Sequence, residues 1–208
     1  MRWRSWPASE FEMGGALRRV VKLGGSLLRQ ADLADRWRRW YGVQSPRQTL
    51  VVVGGGGVAD AVADIQRIHA RMTDTQAHWL CIRAMQLNAE LVVGLLPEAE
   101  YVVDVAEFVL RSPAVSTFVV DPWSFMQADA RSADPLPESW DVSSDSIAAR
   151  LATTIDAAEL VLLKSALPGN AASRDAYVDQ AFAATSLGIA TIRCVDLSND
   201  AFPEVSLK

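Results

Sequence analysis

Two short apolar runs constrain this chain most, because each ends directly on glycine. Val20-Val21-Lys22-Leu23 leads into Gly24-Gly25-Ser26, and Leu50-Val51-Val52-Val53 leads into Gly54-Gly55-Gly56-Gly57. An apolar run without alternation is the pattern of a strand covered on both faces, as in parallel sheets. Glycines placed directly after such a strand allow positive φ and let backbone N–H groups approach an anion. Lys22 brings a cation to the first of these turns, and Ser26 is placed to cap a helix behind it. The pair of turns is what a phosphate-binding edge of a sheet requires.

The remaining chain extends the same alternation. Leu17 to Leu23 reads as the first strand, Ser26 to about Tyr41 as a helix, and Thr49 to Val53 as the second strand. Helices follow at Val58 to Met72 and, capped by Thr73-Asp74, at Thr75 to about Gly94. Short strands at Tyr101–Val103 and Thr117–Val120 flank a helix at Val105–Arg111. Asp121 to Ser139 reads as an irregular stretch rich in Pro, Asp and Ser. A helix opened by Trp140-Asp141-Val142-Ser143-Ser144-Asp145 leads to a buried strand, Glu159–Lys164, and a turn at Pro168-Gly169-Asn170. A helix from Ala176 to Leu187 and a strand from Ala190 to Cys194 complete the series. This alternation predicts a three-layer αβα sandwich with a mainly parallel central sheet, as one domain over residues 16–208. Residues 1–15 read as a flexible N-terminal extension, whose Trp3 and Trp6 are alternatively placed to pack on a neighbouring subunit.

Bulk properties narrow the function. With 20 basic and 25 acidic residues among 208, the net charge is -5, which argues against nucleic-acid binding by charge. Arg36-Trp37-Arg38-Arg39 reads as the solvated face of a helix. Cys81 and Cys194 lie far apart in apolar surroundings, as reduced core cysteines of a cytoplasmic protein do. No segment has the apolar length of a signal peptide core or a bilayer span, so no membrane partner is expected.

The glycine cluster at 54–57 has rivals. Gly54-Gly55-Gly56-Gly57-Val58-Ala59 fits the dinucleotide pattern, but that pattern also needs an acid about 20 positions on at the end of a second strand. The nearest acid, Asp74, lies between two helices. A Walker loop is excluded because no Gly-Lys-Ser/Thr follows. Three further elements carry two readings each. Asp145 is either a carboxylate that orients Lys22 or Mg²⁺, or a first-turn acid favoured by the helix dipole, with Asp141 or Ser143 as an ordinary N-cap. Lys164, at the same strand edge as Lys22, either binds phosphate or snorkels to solvent. His78 either faces an acceptor pocket or is a satisfied interfacial histidine, as His69 also is; two histidines give no support for a zinc site. No nucleophile elbow is present, so hydrolase chemistry is set aside.

Val-Lys-Leu-Gly-Gly-Ser at 21–26, Val-Val-Gly-Gly-Gly-Gly at 52–57 and Ser-Ser-Asp-Ser at 143–146 together resemble the amino acid kinase family. The resemblance implies an αβα kinase fold, ATP with Mg²⁺ as cofactors, and a small-molecule phosphoryl acceptor. It implies catalytic roles for Lys22, which would stabilise the transferring group, and for Asp145, which would organise that lysine. ATP would meet Gly24, Gly25, Ser26, Ser143, Ser144, Lys164 and Ser165. The acceptor would meet Gly54, Gly55, Gly56, Gly57, His78, Trp140 and Asp141. No residue is assigned as a dedicated metal ligand. Where many members carry Thr-Asp-Val after the late strand, this chain has Lys164-Ser165-Ala166-Leu167-Pro168. It also lacks the late glycine-rich segment that brings a second catalytic lysine in longer relatives, a role for which Lys164 is the candidate.

Within the family, Ile68-His69 through Asp74 with Ala77-His78-Trp79-Leu80, Ser139 to Ala148 and Leu162 to Ser165 are similar to the small kinase of methanofuran biosynthesis, which phosphorylates aminomethylfuran methyl phosphate. That likeness implies an acceptor that is already phosphorylated. Many members are homo-oligomers, and the same is expected here. The alternative from another class is a non-catalytic nucleotide- or anion-binding protein that keeps the kinase fold. A nicotinamide-dependent oxidoreductase is the weakest reading.

Overall fold

The computed structural model describes residues 18–110, 116–169 and 177–207. The N-terminal extension expected at 1–15 lies outside them, as do Leu17, Asn170 and Ala176. Among the described residues seven strands form a single sheet: β1 (Arg18–Leu23), β2 (Gln48–Val53), β3 (Ala99–Val102), β4 (Thr117–Val120), β5 (Glu159–Lys164), β6 (Thr191–Asp196) and β7 (Glu204–Ser206). Their spatial order is β3-β4-β2-β1-β5-β6-β7, parallel throughout except for the β6–β7 pair.

This order has a consequence for function. The chain leaves β1 to build β2, β4 and β3 on one side, and returns to build β5, β6 and β7 on the other. The sheet therefore reverses its winding at β1, and ligands of open α/β sheets gather at the C-terminal strand ends beside such a reversal. Lys22, Gly54 and Lys164 all emerge there. Strand alternation then sets the faces. Val20, Leu50, Leu160 and Leu162 join one core cluster, and Val21, Leu23, Val53 and Leu163 join the other. Lys22 and Lys164 fall on the Val20–Leu162 face, on which α6 (Ser144–Thr154) packs with Ile147 and Leu151.

The other helices are α1 (Leu33–Gly42), α2 (Gly56–Ile68), α3 (Asp74–Leu95), α4 (Val105–Leu110), α5 (Pro122–Asp129) and α7 (Phe182–Thr185). Helix α1 closes the opposite face with Leu33, Trp37 and Trp40, while Arg36, Arg38 and Arg39 pair outward with acidic side chains. Thr73 caps α3 as expected. Its hydroxyl accepts from the Gln76 N–H, while the Gln76 side chain accepts from the Thr73 N–H, a reciprocal capping box. Leu80, Leu87, Leu91 and Leu95 remain exposed along α3, as do Val58 and Ile65 on α2.

Four expectations are corrected. The helix expected from Ser26 is interrupted: Gly25–Arg29 is a 3₁₀ turn, and the α-helix restarts at Leu33. Gln30 takes an extended conformation while its side chain binds Ser198, a tertiary bond that outcompetes helix continuation. Ser26 makes no cap, and the position before the turn is Gly24. The stretch read as irregular after Asp121 contains α5, started by Asp121, which accepts from the Trp123 N–H, and by Pro122 in the first turn. The helix expected at 176–187 is reduced, among described residues, to the four residues of α7. Strand β7 was not anticipated at all.

At the N-terminal edge of the sheet a second ionic cluster ties three strands together. Glu159 of β5 accepts from Arg19 of β1 at 2.6 Å and from Arg193 of β6 at 2.7 Å. Burial would raise the Glu159 pKa, but bonds and charge from the two arginines prevail and hold it below the ordinary value. Its contribution is therefore complete above the ordinary glutamate pKa and is lost as pH falls through the lower folded one. We expect Glu159→Gln to destabilise the fold by about 3 kcal/mol at neutral pH, since a buried arginine loses its counterion. Denaturant unfolding across pH should show this deficit shrinking below about pH 4.

Candidate active site

Asp145 is the centre of the site. It lies in the first turn of α6, whose N-cap is Ser143, and is 4 % exposed. The Lys22 ammonium sits 3.0 Å from Oδ1, close enough to pair ionically without an aligned hydrogen bond. Lys164 donates to Oδ2 at 2.8 Å. One carboxylate thus stands between two lysines that arrive from adjacent parallel strands. Burial would raise the Asp145 pKa, but the charges of Lys22 and Lys164 outweigh it and keep the carboxyl below its ordinary value. Lys164 is shifted down by burial, only partly offset by Asp145, with the Lys22 charge pushing the same way as burial. Lys164 also donates to the Tyr177 carbonyl and lies over the Tyr177 ring, 4.0 Å from its centroid.

The two glycine turns meet beside this triad. A Cβ on Gly25 would lie 2.3 Å from the Gly56 nitrogen and 2.6 Å from the Gly54 oxygen. Gly56 has φ +51, a conformation that favours glycine. Part of the glycine requirement is thus mutual backbone contact rather than anion approach. The Gly54 N–H donates to the Leu23 carbonyl and the Gly24 N–H to the Leu163 carbonyl, fixing both turns to the strand ends. Gly56 and Gly57 open α2, where first-turn N–H groups have no partner within the helix. A backbone cradle and two ammonium groups at one edge fit a polyphosphate. Among the described residues no cluster of three His, Cys, Asp or Glu is suited to hold a metal ion.

The other predicted residues are distributed around this centre. The hydroxyls of Ser26 and Ser165 lie 3.5 Å apart at the ends of β1 and β5. Ser143 is engaged within the protein: its N–H and hydroxyl both bond Asp179 Oδ2, at 2.9 and 2.6 Å. Asp179 also accepts from the N–H and hydroxyl of Ser146. A carboxylate from another segment thus occupies the N-terminus of α6, where the dipole favours it. His78, Trp140, Ser143, Ser144, Gly55 and Gly56 share a cavity of about 180 Å³. Gly54, Gly57 and Asp141 do not line it: Gly57 lies under Arg29, and Asp141 accepts from the Ser139 hydroxyl and, through its carbonyl, from the Ala181 N–H. Trp140 is exposed and donates to Gln66. Cys81 also borders the cavity, its thiol pushed up to about 11, chiefly by burial, which makes it a poor nucleophile.

Sequence reasoning missed Asn88 and Asp179. Asn88 is buried on α3 and donates to the carbonyls of Gly54 and Gly55, at 2.7 and 2.9 Å. A lone amide among Met85, Ala89 and Val92 was the available signal, because a buried amide needs partners. Asp179 carried no such signal, lying in a segment read as ordinary helix.

The amino acid kinase family model matches residues 18–166, more than half of the chain. The αβα sandwich with its cationic, glycine-lined strand edge belongs to the amino acid kinase family. Among solved structures, the chain is similar to uridylate kinase from Archaeoglobus fulgidus, at 25 % identity and a TM-score of 0.51. That match covers 71 % of this chain and 63 % of the archaeal one, so the chain spans less than two thirds of that relative. UMP kinase from Bacillus anthracis aligns at 11 % identity and TM-score 0.60, covering 88 % of this chain and 87 % of its own. Aspartate kinase from Synechocystis aligns at 17 % and 0.62, covering 92 % and 40 %. These last two speak for the fold alone. No curated protein matches the sequence significantly.

The interlocked turns give a direct test. Gly25→Ala places its methyl against backbone that cannot step aside, so we expect a loss of about 2–3 kcal/mol in denaturant unfolding. Gly94→Ala, where nothing lies within 4 Å, should instead stabilise α3 by about 0.5–1 kcal/mol.

Proposed function

We propose that the protein is an ATP-dependent kinase that phosphorylates a small acceptor. The observation that carries this reading is the buried Lys22–Asp145–Lys164 triad beside the interlocked glycine turns. ATP, bound as its magnesium complex, supplies the γ-phosphoryl group. The chain's own part is positioning and charge: phosphoryl transfer needs little covalent chemistry from the protein. Lys22 and Lys164 offset negative charge on the oxygens of the transferring group. Asp145 keeps both ammonium groups at the strand ends and stays ionised because of them. The N–H groups of the glycine turns complete the cradle without side chains that would block approach. The Asp145 carboxylate is taken by the two lysines, so magnesium bound with ATP would supply further charge neutralisation on the phosphates without a ligand from this triad.

The acceptor is read as already phosphorylated, and aminomethylfuran methyl phosphate of methanofuran-type cofactor synthesis is the particular candidate. The segments around His78, Trp140–Ala148 and Lys164 support it, and so does the small cavity beside the glycine turn. A phosphate oxygen is already ionised near neutral pH, which agrees with the lack of a dedicated general base at the triad. The exposed leucines of α3 support a homo-oligomer. A cytoplasmic location and the lack of nucleic-acid and membrane partners belong to the same reading. Among the described residues no helix is long and apolar enough to cross a membrane.

A second reading, binding without chemistry, is favoured by one contact. Lys164 is engaged internally by both Asp145 and the Tyr177 carbonyl, which could fix it away from phosphate. ADP release from Mg-ATP, measured over a panel of aminomethylfuran methyl phosphate, UMP, isopentenyl phosphate, aspartate and acetylglutamate, separates the two. Turnover with one acceptor, reduced at least 100-fold in a folded Lys22→Ala variant, is the expected result. ATP binding without turnover on any acceptor would favour the second reading, and unchanged turnover in Lys22→Ala would remove the role given to this lysine.

A further inference from the structure

The cavity beside the glycine turn contains one polar group the protein leaves unsatisfied. His78 is only 4 % exposed, and among the described residues its Nε2 has no hydrogen-bond partner. Burial lowers the His78 pKa, opposed more weakly by a hydrogen bond with the Ser139 backbone and by Glu138, so the ring is neutral at physiological pH. A neutral imidazole that donates through Nδ1 to a backbone carbonyl keeps a lone pair on Nε2. A buried acceptor without a partner is uncommon and destabilising, and a partner supplied by a ligand resolves it. Ala59, Ile82, Met85, Val142 and Ile147 make the apolar part of the wall, Ser139, Ser143 and Ser144 add polar groups on one side, and Trp140 stands at the exposed rim. Among the described residues no Asp, Glu, Lys or Arg lines this space.

Size limits the occupant further. At about 180 Å³ the cavity falls below the ~300–1,000 Å³ typical of pockets for larger ligands. A dry cavity of about 150 Å³ accommodates one benzene ring. One compact ring with one or two further atoms therefore fills it. The glycine-turn wall, Gly55 and Gly56, leaves such an occupant next to the phosphate cradle.

We propose that His78 is the specificity-determining residue of the acceptor site, its Nε2 accepting a hydrogen bond from an O–H or N–H group on a compact, single-ring phosphomonoester. This rests on the kinase reading for the direction of transfer but not for binding. The single-ring class separates this chain from kinases whose acceptor is a nucleotide.

Calorimetry on the full chain without ATP tests it with three probes: benzyl phosphate, 4-(hydroxymethyl)benzyl phosphate and UMP. Wild-type protein is expected to bind the hydroxymethyl compound roughly tenfold more tightly than benzyl phosphate, with UMP weakest. His78→Phe should abolish the preference, and His78→Gln, which retains an acceptor, should keep part of it. In the wild type, the ¹⁵N resonance of His78 Nε2 should shift with the hydroxymethyl probe and not with benzyl phosphate, a readout independent of whether the variants fold. Equal affinities for the two benzyl compounds, an unmoved Nε2 resonance, or UMP binding as tightly as the ring probes would overturn the proposal. ADP release from any acceptor without this discrimination would sink it and spare the kinase reading. Discrimination without ATP turnover on any acceptor would do the reverse.

Discussion

Two ammonium groups cannot be buried side by side without an anion between them, and Asp145 is that anion. Lys22 ends on the second-to-last residue of β1, Lys164 on the last residue of β5, and the two strands are neighbours. Their proximity is forced by sheet register rather than chosen by flexible side chains. Helix α6 must then start at one place, above β1 and β5, for its first-turn carboxylate to reach both lysines. Its starting point is in turn held by Ser143 as N-cap and by Asp179, which binds Ser143 and Ser146. The chain thus fixes a charged centre with rigid elements, which is the condition for electrostatic stabilisation that needs no reorganisation.

The glycine turns serve the same centre from the other side. Their backbones interlock at Gly25 and Gly56, and Asn88 ties the second turn to α3 through two carbonyls. A site made in this way is a contact between five elements, β1, β2, β5, α3 and α6, rather than a single loop. That construction explains why a glycine-rich sequence alone is ambiguous. The same residues satisfy a dinucleotide pattern, and it is the missing acid at the end of a second strand, together with the lysines at the adjacent strand ends, that argues against that reading.

Much of the fold was legible from the strands. Leu50–Val53 and Leu160–Leu163 are uninterrupted apolar runs, and Val20–Leu23 is broken only by Lys22, because both faces of these strands are covered, and that pattern survives any detail of the helices. Thr73 with Gln76 was equally readable, since a capping box is local. The failures are tertiary in origin. Gln30 breaks the first helix through a bond to Ser198, 168 positions away, and β7 forms on the edge of β6 from three residues with no buried side chain. Asp121-Pro122 was a local helix signal that composition obscured. In the site, Lys22, Asp145 and Lys164 were each named from sequence, but their convergence on one carboxylate depends on strand order. Asn88 and Asp179 act on backbone groups of distant segments, which no local pattern encodes.

The most direct measurement is a double-mutant cycle in denaturant unfolding on Asp145 and Lys164. If one carboxylate holds two buried ammonium groups, Asp145→Asn should destabilise the protein by about 3–5 kcal/mol, because both are left unpaired. Adding Lys164→Met in that background removes one of the two repelling charges and should restore part of the loss, giving a coupling of about 1–3 kcal/mol. Additive effects of the two substitutions would contradict the account, and the strand edge would then be two independent lysines rather than one charged centre.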